Sequence, residues 1–439
     1  MKTKTFHKGG IHPPENKLTS DALPTEILPG ALMRVMTAQS IGKEPEVVVK
    51  PGDHVAKGDL LAKATAFVSA NVHSPADATV KKIEPSRDAQ GIWRSSILLE
   101  SDPEQKPERL TERTEAEVAA LSAEQLRDII ADRGIVGLGG ATFPTRVKLS
   151  VPQGMKAEIL IINGAECEPY LTCDDVLMKT RPEDVVRGAR LLAKAAGCSR
   201  IIIGIEENKP KAIAAMRGAA GEDVEVAVLK KKYPQGGEKQ LIRALTGRAV
   251  PAGGLPIATG CIVDNVATAA AVCDAVYLGR ALTSRIVTVT GPELAYPGNY
   301  VVPVGTPMWQ LIETAGGAPS DTGKIVAGGP MMGRAVSCLD APSTKGLSGI
   351  VVIPERQARR RAPQPCIRCA NCVGVCPMGL EPYLLTAYAL KGRWEDTADH
   401  GVANCLECGC CSYVCPSSRP LLDYIKLARQ KVRQLPSKK

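Results

Sequence analysis

The sequence predicts a multidomain α/β protein, and three observations lead to that prediction. The chain has 439 residues, roughly three times the length of a typical domain, which excludes a single domain. Strand-like apolar runs alternate with helix-like patterns through the middle of the chain. Nine of the fifteen cysteines fall between Cys366 and Cys415, which predicts a separate C-terminal module whose thiols bind metal.

The composition narrows the class of protein. Charged residues make up 23% of the chain and the AVILMFWYC set 44%, values that exclude wholesale disorder and a multi-span membrane protein. No apolar run reaches the ~18 residues of a spanning helix, and none follows the basic N-terminus, so we expect neither an anchor nor a secretory signal but a cytoplasmic location. The net charge of +9 is compatible with anionic lipid or acidic partners, and we expect no nucleic-acid partner.

Residues 1–102 form the first predicted module. Short alternating strands between Val47 and Ile83, with turns such as that at Pro51 and Gly52, indicate a small β structure. This segment resembles the barrel-sandwich hybrid of biotinyl and lipoyl carrier domains. Where those carriers hold the modified lysine, this chain has Phe67, so we expect docking or packing there and no covalent swinging arm.

Residues 103–284 form the second module and residues 285–354 the third. The second begins with charge-rich helical sequence and continues with predicted strands at 158–163, 200–205 and 224–229 and helices at 183–196 and 210–218. This alternation predicts an α/β core with a mostly parallel sheet. The third has strand patterns at 286–290 and 300–304 and one helix near 308–315, which predicts a small β-grasp ligand-binding module.

Residues 355–439 form the cysteine-rich module. They contain two rows with one spacing, each with a proline after the fourth cysteine. The spacing resembles that of bacterial two-cluster ferredoxins, in which the fourth cysteine of each row ligates the other cluster. Two zinc sites are the less favoured alternative, and Cys410, which is off the spacing, is interpreted as a packed bystander. The predicted 4Fe-4S ligand sets are Cys366, Cys369 and Cys372 with Cys415, and Cys405, Cys408 and Cys411 with Cys376.

Helical apolar spacing between and after these rows, at Leu380, Leu384 and Leu385 and again at Leu421 and Ile425, predicts a helical ferredoxin module. Two neighbouring clusters in such a module would transfer electrons one at a time.

A glycine-rich loop opens the α/β core. Gly137, Gly139 and Gly140 begin a dinucleotide fingerprint, but Thr142 replaces the glycine that the G-x-G-x-x-G pattern requires, which disfavours a standard Rossmann site. A phosphate or cofactor loop and a plain turn both remain open from this loop alone. Three further polar loops, at 163–169, 233–238 and 264–265, lie at predicted ends of strands, where α/β folds bind ligands.

These four segments resemble, in the same order, the flavin-binding subunit of respiratory complex I. The resemblance implies that Phe143 and Glu168 contact the nicotinamide nucleotide, NAD(H). It departs from the family at Ala165 and Gly237, where acidic residues are expected. Cys167 and Cys173 are interpreted as buried structural cysteines. The residues implied to line FMN are Gly137, Gly139, Gly140, Ala141, Lys148, Asn163, Glu166, Tyr233, Gly236, Gly237, Glu238 and Asn265.

The module order, together with the opening motif at residues 5–16, closely resembles the RnfC family, which belongs to the Rnf electron-transport complexes. The resemblance implies ferredoxin:NAD oxidoreduction with FMN, NAD(H) and two 4Fe-4S clusters, coupled to Na⁺ or H⁺ translocation by other subunits. It implies membrane subunits and a ferredoxin-accepting iron-sulfur subunit as partners, with ferredoxin itself indirect, and a peripheral position on the cytoplasmic face of the bacterial inner membrane. Basic residues of the linker and tail, among them Arg359, Lys438 and Lys439, could assist docking there. The alternatives are a soluble flavin and iron-sulfur reductase of the cobalamin-reductase type and an electron relay without flavin.

Overall fold

The computed structural model describes residues 3–435 of the chain. Its first module consists of two small β-sheets that form a barrel-like structure. Alternate residues such as Met33, Val35, Ile97 and Leu99 point inward and are buried, as the period of a strand requires. Phe67 lies on the connection between strands Leu60–Lys63 and Val72–His73 and is 62% exposed. One sheet has the order Leu32–Met36, Trp93–Ser101, Ala78–Arg87, His54–Val55, and the other Glu46–Val47, Leu60–Lys63, Val72–His73.

The second module is an α/β core whose four strands are all parallel, which confirms the predicted sheet. Neighbouring residues of one strand face two different cores: Leu160 packs with helices on one face and Ile161 with helix Glu238–Thr246 on the other. Burial on both faces explains the continuous apolar runs. The strand order is Val224–Leu229, Arg200–Glu206, Ile159–Gly164, Cys261–Asn265. The remaining helices are Glu115–Ala120, Ala123–Asp132, Thr145–Leu149, Cys173–Thr180, Pro182–Ala196, Pro210–Ala220 and Val266–Leu278, with a 3₁₀ turn at Pro256–Thr259.

The third module is a six-stranded mixed sheet with one helix, Met308–Thr314. Its first edge strand, Thr25–Glu26, comes from the N-terminal segment and pairs in parallel with the next strand. The order is Thr25–Glu26, Gly298–Pro303, Ser284–Thr290, Gly349–Pro354, Thr322–Ala327, Arg334–Ala335.

The C-terminal module is helical, and residues 355–435 contain no strand. Its core packs Leu385, Val402, Leu421 and Ile425 around the cysteines, which confirms the predicted helical ferredoxin. The helices are Glu355–Ala358, Asn371–Gly374, Pro382–Leu390, Trp394–Asp399, Cys410–Tyr413 and Leu421–Val432, with a 3₁₀ turn at Val402–Asn404.

Residues 3–17 form a strap that runs across the α/β core to the cysteine module. Ile11 exchanges backbone hydrogen bonds with Tyr233, both at 2.9 Å, and the Gly10 amide donates to the Val375 carbonyl at 2.8 Å. Gly9 has φ +66, and a Cβ there would lie 2.5 Å from the carbonyl carbon of Cys376. Only glycine therefore allows the strap to pass so close to a predicted cluster ligand.

Within residues 3–435, we find no helix long and apolar enough to cross a bilayer. Lys438 and Lys439, which the sequence suggested as docking residues, lie outside the described residues.

A buried lysine joins the first three modules. Lys345 is 1% exposed, and its Nζ donates to the carbonyls of Asn71 at 2.8 Å and Gly134 at 2.7 Å. His73 lies at the same joint, and its Nδ1 is buried with no partner among the described residues. Burial, followed by the charge of Lys345, lowers the pKa of His73 to about 3.

This joint should make stability depend on pH. Between pH 6.5 and 3 an unfolded chain protonates His73 and the folded chain does not, so the free energy of unfolding falls as pH is lowered. We expect His73→Gln to remove this dependence. When the pH is lowered from 7 to 5, its free energy of unfolding should fall by about 2 kcal/mol less than that of the unmodified chain. Urea midpoints followed by tryptophan fluorescence measure the difference, with His54→Gln in the same module as the control. Equal losses in the unmodified chain and His73→Gln would contradict the prediction.

Candidate functional site

Three polar loops meet at the carboxyl edge of the parallel sheet. Asn163 and Asn265 are paired in register on neighbouring strands. The Asn163 side chain donates to the Gly236 carbonyl at 2.9 Å, and the Asn265 side chain donates to the Asn163 carbonyl at 3.4 Å. A Cβ at Gly236 would lie 2.3 Å from the Ala165 carbonyl oxygen, so this close approach of the loops requires glycine.

The glycine-rich loop lies beside them. The Gly137 amide donates to the Phe143 carbonyl at 2.9 Å, and a Cβ at Gly139 would lie 3.5 Å from Cβ of Asn265. Gly140 has φ +109, and a Cβ there would meet no atom within 4 Å. Gly139, Gly140 and Ala141 are exposed. The loop therefore presents open backbone next to the three polar loops, and Phe143 is half-buried at its end.

A lysine and two carboxylates lie on the same edge. Lys148 Nζ is 3.6 Å from Asp264 and 3.7 Å from Glu238, and it donates to the Val263 carbonyl at 2.6 Å. Burial lowers the pKa of Lys148, but the charges of Asp264 and Glu238 outweigh burial and hold it above its usual value. Burial raises the pKa of both carboxylates. Glu238 begins the helix that follows Gly237.

Glu166 binds the N-terminus of a neighbouring helix, a contact that the sequence did not indicate. Its buried carboxylate accepts from the amides of Asp174 at 2.9 Å and Asp175 at 3.4 Å, at the N-terminus of helix Cys173–Thr180, where the helix dipole favours negative charge. Asp174 accepts from Asn265 Nδ2 at 2.7 Å. Burial, followed by the charge of Glu166, raises the pKa of Asp174 to about 7. Asp174 therefore belongs to the candidate site. The sequence analysis did not predict it, and its hydrogen bond with Asn265 places it there.

The half-buried Lys17 and the buried Lys209 both donate to the backbone of the loop after strand Ile159–Gly164, Lys209 to the Glu166 carbonyl at 3.3 Å. Lys17, from the strap, donates to the carbonyls of Glu166 at 2.8 Å, Glu168 at 2.9 Å and Leu171 at 2.5 Å. Lys209 forms a 3.2 Å ion pair with Glu206. The strap thus fixes the backbone of a loop about 150 positions away in sequence, a contact that no local pattern predicts.

Glu168 lies at the border with the β-grasp module. Its carboxylate accepts from the amides of Met331 at 3.0 Å and Met332 at 2.8 Å. Burial raises the pKa of Glu168 to about 7 against the lowering effect of these two amides. The nicotinamide roles of Glu168 and Phe143 stay predictions.

Tyr233 connects the polar loops to the cysteine module. It is 2% exposed, and its hydroxyl donates to the Cys408 carbonyl at 2.9 Å. Burial raises its pKa strongly. Cys410 is fully buried in the same apolar cluster, with Ile11 and Cys408. The predicted flavin loop and the second cysteine row are therefore in direct contact.

The structure brings cysteines of the two rows close to one another. Burial raises the pKa of Cys372, and the charges of Cys369, Cys415 and Cys366 add to the effect. Burial, followed by the charges of Cys405, Cys408 and Cys376, raises the pKa of Cys411 to about 12. These neighbours include one thiol of the opposite row in each case, as exchanged ligation requires, and the two ligand sets stay predictions.

The residues present fit the cofactors that the sequence implies. Two groups of four thiols without imidazole are the donor set of cuboidal iron-sulfur clusters, and the amides of Leu380 and Glu407 donate to the sulfurs of Cys376 and Cys405, both at 3.3 Å. In the α/β core, the open side of Gly140 leaves room for a flat ligand. Both carboxylate oxygens of Asp264 are buried without a hydrogen-bond partner in the described part of the chain, and the nearby Lys148 Nζ, at 3.6 Å, offsets the cost of burying that charge.

Family models match in four successive segments. Residues 4–104 match the RnfC barrel-sandwich hybrid domain, 130–274 the Nuo51 FMN-binding domain, 286–335 the SLBB domain and 358–416 a 4Fe-4S dicluster domain. These matches confirm the predicted fold class and assign FMN to the α/β core and iron-sulfur clusters to the C-terminal module.

Curated relatives match along nearly the whole chain. The C subunit of the Na⁺-translocating ferredoxin:NAD⁺ oxidoreductase complex of Acetobacterium woodii is 39% identical over 98% of both chains. The C subunit of the proton-translocating complex of Clostridium ljungdahlii is 40% identical over 90% of this chain and 87% of its own. A crystal structure of an NAD⁺-reducing NiFe-hydrogenase in the H₂-reduced state covers 73% of this chain and 64% of its own with a TM-score of 0.51. Because its sequence identity is 20%, that likeness concerns the fold alone. By its relatives and its four matched segments, this chain belongs to the RnfC family of the ion-translocating ferredoxin:NAD oxidoreductase complexes.

Proposed function

We propose that this chain is the peripheral NAD(H)-reacting subunit of a ferredoxin:NAD oxidoreductase complex whose other subunits translocate Na⁺ or H⁺. FMN, when bound, exchanges a hydride with NAD(H) and exchanges electrons singly with the clusters. The observation that carries the proposal is the 2.9 Å hydrogen bond from Tyr233 to the Cys408 carbonyl, because it joins the loop that would hold the flavin to the loop that would hold a cluster.

The residues of the α/β core would bind and orient the flavin. The open glycine loop at 137–140 offers backbone to a flat ring or a phosphate, and Asn163 and Asn265 hold the neighbouring loops at a fixed distance. Lys148 supplies a positive charge on the same edge. The buried contacts of Tyr233 with Ile11 and Cys408 exclude water from the junction with the cysteine module.

The burial of the two cysteine groups supports an order for the two centres. Cys408 and Cys411 are buried, and Cys408 packs beside Tyr233, whereas Cys366 and Cys369 are exposed. The group of Cys405, Cys408, Cys411 and Cys376 would hold the inner centre, next to the flavin. The group of Cys366, Cys369, Cys372 and Cys415 would hold the outer centre, which faces the ferredoxin-accepting iron-sulfur subunit or a membrane subunit.

Removal of the Tyr233 hydroxyl tests the junction. Tyr233→Phe loses one buried hydrogen bond of about 1 kcal/mol and frees the Cys408 carbonyl. We expect the cluster absorbance to respond to NADH several-fold more slowly relative to the flavin absorbance in anaerobic stopped-flow. Tyr300→Phe removes a part-buried hydrogen bond of the same length, 2.9 Å, to the Tyr296 carbonyl in the β-grasp module, and is the control. Identical rate ratios in both variants would contradict the proposed route.

Membrane association tests the proposed peripheral position in a membrane-bound complex. The relatives are named as subunits of ion-translocating complexes, and the linker arginines Arg359 and Arg361 are exposed, which favours contact with acidic surfaces of partner subunits. We expect the chain to sediment with membranes at low salt when its partner subunits are co-expressed, and to remain in the supernatant without them. Sedimentation that does not depend on the partners would contradict the assignment.

A further inference from the structure

A short loop of the β-grasp module reaches over the α/β core. This loop, residues 328–333, connects strand Thr322–Ala327 to strand Arg334–Ala335, and we call it the clasp loop. Each oxygen of the Glu168 carboxylate accepts one of its amides, Oε2 from Met331 at 3.0 Å and Oε1 from Met332 at 2.8 Å. A carboxylate is the side chain that accepts on both oxygens at once.

The clasp loop is shaped around this carboxylate. A Cβ at Gly329 would lie 2.2 Å from Oε2 of Glu168 and 2.6 Å from its Cβ. A Cβ at Gly333 would lie 2.3 Å from the Gly329 carbonyl oxygen, to which the Gly333 amide donates at 2.8 Å. Two glycines thus allow the loop to close on Glu168, and a larger residue at either position would displace it.

The other side of the clasp loop touches the cysteine module. Met331 packs against the apolar cluster of Ile11, Tyr233, Cys408 and Cys410. A Cβ at Gly409, between two of these cysteines, would lie 3.2 Å from the Met331 carbonyl oxygen. The same methionine that donates its amide to Glu168 therefore packs against the second cysteine row.

We propose that Glu168 is a positioning residue that fixes the clasp loop and through it seats the second cysteine row against Tyr233, so that electrons cross between the flavin and the inner centre. This inference deepens the proposed function and rests on it. It assigns Glu168 a role different from the nicotinamide contact that the resemblance to complex I implies. A positioning role predicts that the cluster rate falls more than the flavin rate, whereas a nicotinamide contact predicts that the flavin rate falls at least as much.

Glu168→Gln and Gly329→Ala test the proposal in the full chain with its cofactors. Glutamine accepts at one position only and turns an NH₂ group toward the other amide, and the alanine methyl group displaces the carboxylate. Gly218→Ala, where a Cβ meets no atom within 4 Å, and Glu124→Gln on an exposed helix face are the controls. The first readout is hydrogen-deuterium exchange of a peptide spanning the clasp loop, which requires no electron transfer. The second is the ratio of the NADH-driven flavin and cluster rates.

We expect exchange in the clasp loop to rise at least about tenfold in both variants, and the cluster rate to fall several-fold more than the flavin rate. Unaltered hydrogen-deuterium exchange in the clasp loop would overturn the claim that Glu168 fixes this loop. A flavin rate that falls at least as much as the cluster rate overturns the positioning role and returns Glu168 to the nicotinamide. A failure of clusters to respond to NADH in the unmodified chain refutes the proposed function instead, while the exchange measurement still decides whether Glu168 holds the loop.

Discussion

Replacing Cys376 with alanine is expected to remove the centre of the other row while leaving the centre built on its own row intact. Cys376 groups with Cys405 and Cys411, so its loss takes one of four ligands from the inner centre. Iron should fall from about eight to about four atoms per chain. NADH should still bleach the flavin, but the surviving outer centre should stay oxidised on the stopped-flow timescale.

Two further variants complete this experiment. Cys415→Ala should remove the outer centre and leave the inner centre reducible through the flavin. Cys410→Ser should leave both centres in place, because Cys410 is off the spacing and fully buried in the apolar cluster. Electron paramagnetic resonance of the reduced proteins identifies which centre remains. If Cys376→Ala disturbed only the centre of its own row, exchanged ligation would be wrong.

Lys148→Met is expected to destabilise the α/β core and to abolish tight flavin binding. The variant leaves the buried carboxylate of Asp264, 3.6 Å from Lys148 Nζ, beside Glu238 without a cation. Breaking a buried ion pair from one side costs about 3–5 kcal/mol. The remaining carboxylates would take up protons, since burial already raises the pKa of Asp264.

The measurement for Lys148→Met is the urea midpoint together with FMN affinity from flavin fluorescence. Lys148→Arg keeps the positive charge and should restore most of the stability, which separates loss of charge from loss of packing. A Lys148→Met protein with the midpoint and FMN affinity of the unmodified chain would show that the ion pair is dispensable.

Local patterns predicted much of the fold because they have local causes. The apolar runs at 159–162 and 201–205 are buried on both faces of a parallel sheet, so they carry the strong signal of a fully buried strand. The spacing of the two cysteine rows is set by how three consecutive ligands wrap a cluster. That geometry is independent of the rest of the chain, and the sequence alone therefore indicated the grouping.

Contacts between distant segments were not predictable in the same way. The strap at residues 3–17 passes Cys376 and places Lys17 under Glu166 and Glu168, and nothing in its own sequence specifies those partners. Glu166 was predicted to line the flavin, and its carboxylate accepts amides at a helix N-terminus. Tyr233 was predicted on the same grounds, and its hydroxyl bonds to the cysteine module. A shared motif gives the position of such residues in the chain, whereas their partners depend on how the modules pack.

The most direct test of the account is an anaerobic titration of the purified, cofactor-loaded chain with NADH, followed by absorbance. One flavin and two single-electron centres together accept about four electrons, so about two NADH should be consumed per chain, with flavin and cluster absorbance both bleached at the end. An endpoint near one NADH per chain, with the flavin bleached and the cluster absorbance unaltered, would contradict the claim that this chain converts hydride transfer into single-electron transfer.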